Sequence, residues 1–139
     1  MSIKKETDFL RDVPPFADLD STKLELLAFV SERLVYPAGE TVLKQGGAGD
    51  SVFVLIEGLL DVYISSDGSS SHVRQLGRHA IFGEIAVIRS TVRSATVVAK
   101  TDVVVLKISR NVLLTMIEDV PNLGTRITEH MLNAGYTFE

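Results

Sequence analysis

The chain contains no cysteine, which excludes disulfides, thiolate nucleophiles and thiolate metal sites together. That absence fits a cytoplasmic protein. No run of apolar residues approaches the length of a membrane span. The opening MSIKKETDFL carries two lysines with no apolar run behind them, unlike a secretory signal peptide. Positive charge is thin as well. Fourteen Lys and Arg stand against 18 Asp and Glu, for a net charge of −4. No basic cluster is long enough to track a nucleic-acid backbone, so neither nucleic acid nor membrane is an expected partner. The three histidines, His72, His79 and His130, lack metal-ligand spacing. A cupin-type metal site needs His-x-His, then Glu, then a further His. No serine sits in a recognisable nucleophile turn. Catalytic residues, metal ligands and cofactors are therefore left unassigned, and the chain reads as a non-enzyme. There are no internal repeats or low-complexity segments.

A length of 139 residues suits one domain. A short helix over 7–12 is closed by Pro14 and Pro15. Asp20 is a candidate N-cap for a second helix, with Leu24, Leu27, Ala28 and Val30 as its buried face. From 33 to 108 the pattern becomes strand-like. Runs rich in Val, Ile, Leu, Tyr and Phe are separated by Gly, Ser and Asp. Strands are expected at 33–36, 41–45, 51–57, 59–65, 72–77, 93–100 and 102–108, with a short one before Phe82. Such close spacing argues for a β-sandwich or jelly roll. The polar segment Ser65 to Ser71 is expected to be an exposed, mobile loop. Ser109 is the candidate N-cap of a helix over 110–119, with Val112, Leu113, Met116 and Ile117 facing the strands. Pro121 suits the first turn of a last helix, in which Leu123, Ile127, Met131 and Ala134 share a face.

The chemistry concentrates in FGEIAVIRSTVRSATV, Phe82 to Val97. Gly83 and Glu84 open the apolar turn Ile85-Ala86-Val87-Ile88, and Arg93 follows Glu84 by nine residues. A glycine before a helical turn leaves backbone N–H groups bare, and these favour an anion. An arginine presents two parallel donors to phosphate oxygens. A carboxylate repels phosphate but accepts a hydrogen bond from a ribose hydroxyl, as in dinucleotide-binding folds. Together these groups fit a ligand with one phosphate charge and a free ribose hydroxyl. Arg89 competes for the phosphate role, but it ends the apolar turn and is expected to face solvent.

This stretch resembles the phosphate-binding cassette of cyclic nucleotide-binding domains. That family includes catabolite activator proteins, regulatory subunits of cAMP-dependent protein kinase and cyclic-nucleotide-gated channels. Its pattern, F-G-E-(L/I)-A, a spacer, then R-(S/T/A)-A-T-V, is matched at Phe82, Gly83, Glu84, Ile85, Ala86, Arg93, Ser94, Ala95, Thr96 and Val97. The pieces PAGE, QGGAGDSVFVLIEG and LDVYIS are similar to the family's β-roll, and the likeness runs from about residue 9 to 135. The resemblance implies a mainly β fold: a β-roll of about eight strands with N-terminal helices, a short cassette helix and two C-terminal helices. Residues 1–139 would form a single such domain. Its N-terminal helices span 7–32, the β-roll 33–108 with the cassette at 82–97, and the C-terminal helices 109–139.

In the family the cassette Glu hydrogen-bonds the ribose 2′-hydroxyl, a role that falls here on Glu84. Arg93 and the N–H groups around Ala86 would meet the phosphate. Ser94 is open to a bond with the phosphate or a guanine amino group, or to a plain strand role. Val62, Val73, Ile85 and Ala95 would line the ribose and base, or belong to the core. The family has Gly-Asp three and two residues before the cassette Phe. Here His79 and Ala80 stand there, and His tolerates a left-handed backbone less well than Gly. Tyr136 and Phe138 are candidates to stack on a purine.

The implied function is a regulatory module for a cyclic nucleotide, cAMP or cGMP. It would signal through its C-terminal helices to a separate effector protein or by self-association. The sequence shows no helix-turn-helix, kinase-inhibitor segment or catalytic domain after the roll, and its opening reads as a standalone protein. The alternative keeps the fold without the ligand, as an interaction scaffold.

Overall fold

The structure is a computed structural model that describes residues 3–89 and 91–133; the side chains at 84, 85 and 131–133 lie outside what it describes. Helix α1 (Ile3–Arg11), a 3-10 turn at Pro14–Phe16 and α2 (Ser21–Val30) come first. Eight strands follow: β1 (Glu32–Tyr36), β2 (Thr41–Leu43), β3 (Ser51–Glu57), β4 (Leu60–Ser66), β5 (Ser69–Leu76), β6 (Ile81–Phe82), β7 (Thr96–Ala99) and β8 (Val103–Ser109). Short helix α3 (Glu84–Ile88) interrupts them, and α4 (Arg110–Asp119) and α5 (Leu123–Asn133) come last. The strands form two four-stranded sheets, ordered β1-β8-β3-β6 and β2-β7-β4-β5. This is the expected eight-strand roll flanked by helices.

Strand alternation explains why there are two cores. On β3, Val52, Val54 and Ile56 face the helices, while Phe53 and Leu55 face into the roll. On β8, Leu106 and Ile108 face the helices, and Val103 and Val105 the roll. Successive side chains point to opposite faces, so these strands are buried on both sides and read as unbroken apolar runs. β6 repeats the division in two residues, with Ile81 towards the helices and Phe82 towards the roll. The cassette helix therefore starts from a strand anchored in both cores.

Both predicted N-caps are present. The Asp20 carboxylate accepts from Lys23 N at 2.8 Å, and Ser109 Oγ from Val112 N at 3.4 Å. Leu113 and Met116 of α4 are buried, with Val112 and Ile117 partly so. On α2 the predicted face is corrected at one position. Leu24, Leu27 and Ala28 are buried, but Val30 is 41% exposed. At 100° per residue the next position on that face is Ser31, whose Oγ donates to Ala28 O. Helix α1 starts at Ile3, earlier than expected.

Pro121 lies ahead of α5, in a turn where Asn122 takes a φ of 66°. Ala134, Tyr136 and Phe138 lie outside the described residues, as does the Met131 side chain. The segment Ser65 to Ser71 is exposed, yet it is a hairpin in which β4 and β5 pair out to Ser66 and Ser69. Asp67 and Gly68, with φ of 52° and 80°, make the two-residue turn. Asp-Gly supports that turn because both positions need positive φ.

Asp20→Ala is expected to lower stability by about 1 kcal/mol, the usual value of a lost N-cap. Urea denaturation should show a lower midpoint with an unchanged slope.

Candidate functional site

Arg93 lies in the loop ahead of β7 rather than at the head of a strand, because pairing in that sheet begins at Thr96. Two backbone bonds fix the loop: Gly46 N donates to Arg93 O at 2.8 Å, and Arg93 N to Gly47 O at 2.9 Å. The loop after β2 and the loop before β7 are thus tied at Arg93. The side chain then turns inward and is only 4% exposed. Nη1 donates to Gly83 O at 2.6 Å and Nη2 to Ser51 O at 2.6 Å, with Ser51 Oγ at 3.4 Å. The guanidinium carbon stands 5.9 Å from the Phe53 ring centroid, and Phe53 stacks on Phe82 at 5.3 Å. The Asp50 carboxylate is 3.7 Å from Nη2 at the solvent edge. Arg89 is exposed, as expected.

Glycine makes this approach possible. Gly83 has a φ of 83°, and a Cβ on it would stand 2.6 Å from Arg93 Nη1. A Cβ on Gly49 would stand 2.6 Å from the Ala86 Cβ. Real Cβ atoms do not come so near, so both loops reach the cassette only because these residues have no side chain.

A cleft opens beside the guanidinium. Leu43, Val62, Leu76 and Val97 form its apolar walls. Phe82, Gly83 and Ala86 supply the cassette side, and Arg93, Ser94 and Ala95 the remainder. The cleft with its mouth contains about 360 Å³ of space between atoms, most of it at the open side. The enclosed part of the cleft is therefore tight, with room for about one or two waters.

Seven of the predicted site residues thus converge: Val62, Phe82, Gly83, Ala86, Arg93, Ser94 and Ala95. The backbone of Glu84 and Ile85 opens α3 beside them, while their side chains lie outside the described residues. Val73 stands apart. The β4–β5 register shifts between Val62, opposite Arg74, and Tyr63, opposite His72, so Val73 is the extra residue of a bulge. It is 46% exposed, and the cleft is lined without it. The sequence reading missed Leu43, Leu76 and Val97. Val97 lies directly opposite Val62, and opposed residues share a face, so the pairing register was the signal required.

A protein-family model described as the cyclic nucleotide-binding domain matches residues 33–120. The chain belongs to that family. The match takes in the roll, the cassette and α4. Among curated relatives, a cAMP-dependent protein kinase regulatory subunit of Aspergillus niger is 34% identical over 115 residues, covering 81% of this chain and 28% of that protein. This domain thus spans under a third of that relative's length. A cyclic nucleotide-binding-like protein from Brucella abortus is 31% identical, with a TM-score of 0.70 over 82% of this chain and 98% of that one. The regulatory domain of Toxoplasma gondii PKA, solved with cAMP, has a TM-score of 0.85 at 18% identity, covering 96% of this chain and 50% of that one. At that identity the likeness is one of fold.

Gly83→Ala and Gly68→Ala separate two contributions. Both positions need positive φ, but nothing lies within 4 Å of a Cβ at Gly68. Gly68→Ala is expected to cost about 1–2 kcal/mol of backbone strain. Gly83→Ala should cost more, because Arg93 must also shift. Equal losses in urea denaturation would show that the Gly83–Arg93 contact has slack.

Proposed function

We propose that this domain binds a 3′,5′-cyclic nucleotide, cAMP or cGMP, in the cleft beside Arg93 and acts as a regulatory sensor. The observation that supports this reading is a buried arginine, bonded to Gly83 O, in the lining of a largely apolar cleft that Gly83 and Ala86 also line. An arginine fork suits a phosphodiester, and its attraction strengthens where water is excluded. Glu84, at the start of α3, takes the ribose hydroxyl, and the N–H groups near Ala86 take phosphate oxygens. Val62, Val97 and Leu76 offer apolar contact to the ribose and base. Ser94 keeps guanine open as the base, through a bond to its amino group. No reaction step is involved: recognition is the chemistry, and the output is a change in helix position.

The tightness of the cleft bears on how binding proceeds. A nucleotide is far larger than one water, so the cassette or the walls move as it enters. A ligand shifts such an equilibrium only by its differential affinity for the two arrangements. New contacts from phosphate to Arg93 and the cassette amides supply that difference. The rearranged cassette then acts on α4 and α5, which pack on the same core as Ile81 and Val87. A separate effector protein or a second copy reads their position.

The same tight cleft, with Arg93 already donating to Gly83 O and Ser51 O, favours a second reading. In it the arginine is a structural strut and the domain is a ligand-independent scaffold. Titration calorimetry with cAMP and cGMP, on nucleotide-free protein, separates the two. Binding at micromolar concentration or tighter supports the sensor. Absence of heat with both nucleotides, from folded protein, supports the scaffold. Arg93→Ala should weaken binding by about 2–5 kcal/mol. That substitution also orphans two buried carbonyls, so its fold is checked by circular dichroism. Glu84→Gln, which removes only a charge, should weaken binding by about 1.5–3 kcal/mol. Unchanged affinity in Glu84→Gln would remove the ribose role.

A further inference from the structure

His79 occupies the turn between β5 and β6, four residues before Gly83. Its φ is 77°, so it holds a left-handed conformation that favours glycine. Three separate elements grip it there. Its N–H donates to Leu55 O of β3 at 2.8 Å. Its ring stacks on Phe9 of α1, with centroids 5.2 Å apart and planes at 24°. Its carbonyl accepts from His130 Nε2 of α5 at 3.3 Å. Because a carbonyl only accepts, His130 Nε2 must carry the hydrogen. The His79 ring presents an anomaly of its own. Its Nε2 is buried and has no hydrogen-bond partner among the described residues.

A neutral ring tolerates this site, because a bare imidazole nitrogen loses only a modest hydrogen bond. An imidazolium would not. It would place a charged N–H at a buried atom that has no acceptor among the described residues, which disfavours the charged form. The charged groups around it work in both directions. Burial is the largest influence and holds the His79 pKa below 6.5. Arg78 in its own turn and His130 on α5 act the same way, while Asp12, just after α1, opposes them. The Arg78 guanidinium lies 5.4 Å from the Phe9 ring and is held by Ile56 O, so it does not swing away readily.

We propose that His79 is a positioning residue: its neutral ring, stacked on Phe9 of α1, holds the turn that feeds the cassette so that the His79 carbonyl can accept from His130 of α5, and protonation of the ring releases α5. The tie requires the left-handed turn, the Phe9 stack and the His130 bond together, and all three pass through one titratable residue. α5 is also held by Arg126, which donates to Pro14 O at 3.3 Å and pairs with Asp18 at 2.7 Å, and by Leu123 and Ile127 in the core. Release at His79 therefore loosens the helix beyond Ile127 without unfolding the domain. The effect on ligand affinity rests on the function proposed above; the tie does not.

The direction with pH follows from a folded-state value below the unfolded one. The stabilisation is complete above about 6.5, the unfolded His value. It is lost as pH falls from there through the lowered folded value. The test is two-dimensional NMR of the ligand-free protein from pH 8 to 5, following the α5 amides and the His79 ring protons. We expect the amides at the C-terminal end of α5 to shift with the same midpoint as the His79 ring.

His79→Gly, which accepts the φ of 77° readily, should abolish that transition. His130→Gln, which keeps a donor but does not titrate, should retain it. An α5 transition that survives His79→Gly, or that disappears in His130→Gln, overturns the proposal. So does a His79 ring that titrates while α5 stays still. A parallel cAMP titration is expected to show affinity falling on acidification, by at most about tenfold per pH unit for one proton, and not in His79→Gly. If α5 titrates but cAMP does not bind at any pH, the tie stands and the nucleotide reading falls.

Discussion

A guanidinium cannot lose its charge inside a protein, so burying one obliges the surrounding chain to supply acceptors. Arg93 meets that demand largely with backbone. Gly83 O comes from the cassette turn and Ser51 O from the first residue of β3. The two carbonyls belong to segments 32 residues apart in sequence. Each loop around them is shaped to bring its carbonyl or its own backbone close. Gly83 and Gly49 have no Cβ where one would collide, and Gly46 and Gly47 pair with Arg93 through the main chain. The geometry of the cassette is therefore a consequence of solvating one buried cation with protein. Arg93 also lines the cleft, and this sets a positive charge, held by two backbone carbonyls and the nearby Asp50 carboxylate, beside walls that are largely apolar.

Much of this was legible in the sequence, for identifiable reasons. Asp20 and Ser109 marked helix starts because a short polar side chain can bond the backbone amide three residues on. The strands of the roll were visible because residues such as Val52 to Ile56 must be apolar on both faces. The cassette was legible because a fixed sequence of residue types is needed to turn, expose amides and return an arginine to the same place. What stayed hidden depends on long-range pairing. The bulge at Val73 is a property of the β4–β5 register, and no local signal announces it. Val97 joins the cleft through its partner Val62. The inward turn of Arg93 onto Ser51 O also depends on contacts across the fold. The Asp-Gly turn was available in the sequence; the serines around it obscured a hairpin behind a loop-like composition.

His79 shows how a departure from a pattern carries information. The turn before β6 needs a left-handed residue, which glycine provides without any side chain. A histidine keeps the backbone shape and adds a ring, and that ring joins α1 to the turn while the carbonyl joins α5. Under the proposal above, the contact that the ring makes with α1 depends on its protonation state. The buried Nε2, without a partner among the described residues, is the local cost of this arrangement.

The order of strands in the helix-facing sheet has a separate consequence for how the molecule forms. β8 lies between β1 and β3, pairing with both, and among the described residues β1 has no other strand beside it. During synthesis, β1 therefore emerges some 70 residues before the strand it pairs with. Until Ser109 has left the ribosome, β1 and β3 each present an unpaired edge, and the surface for α1 and α2 is missing its central strand. Long-range pairing of this kind makes folding slow relative to helical domains of the same size. The helix-facing sheet is therefore complete only once β8 has taken its place between β1 and β3.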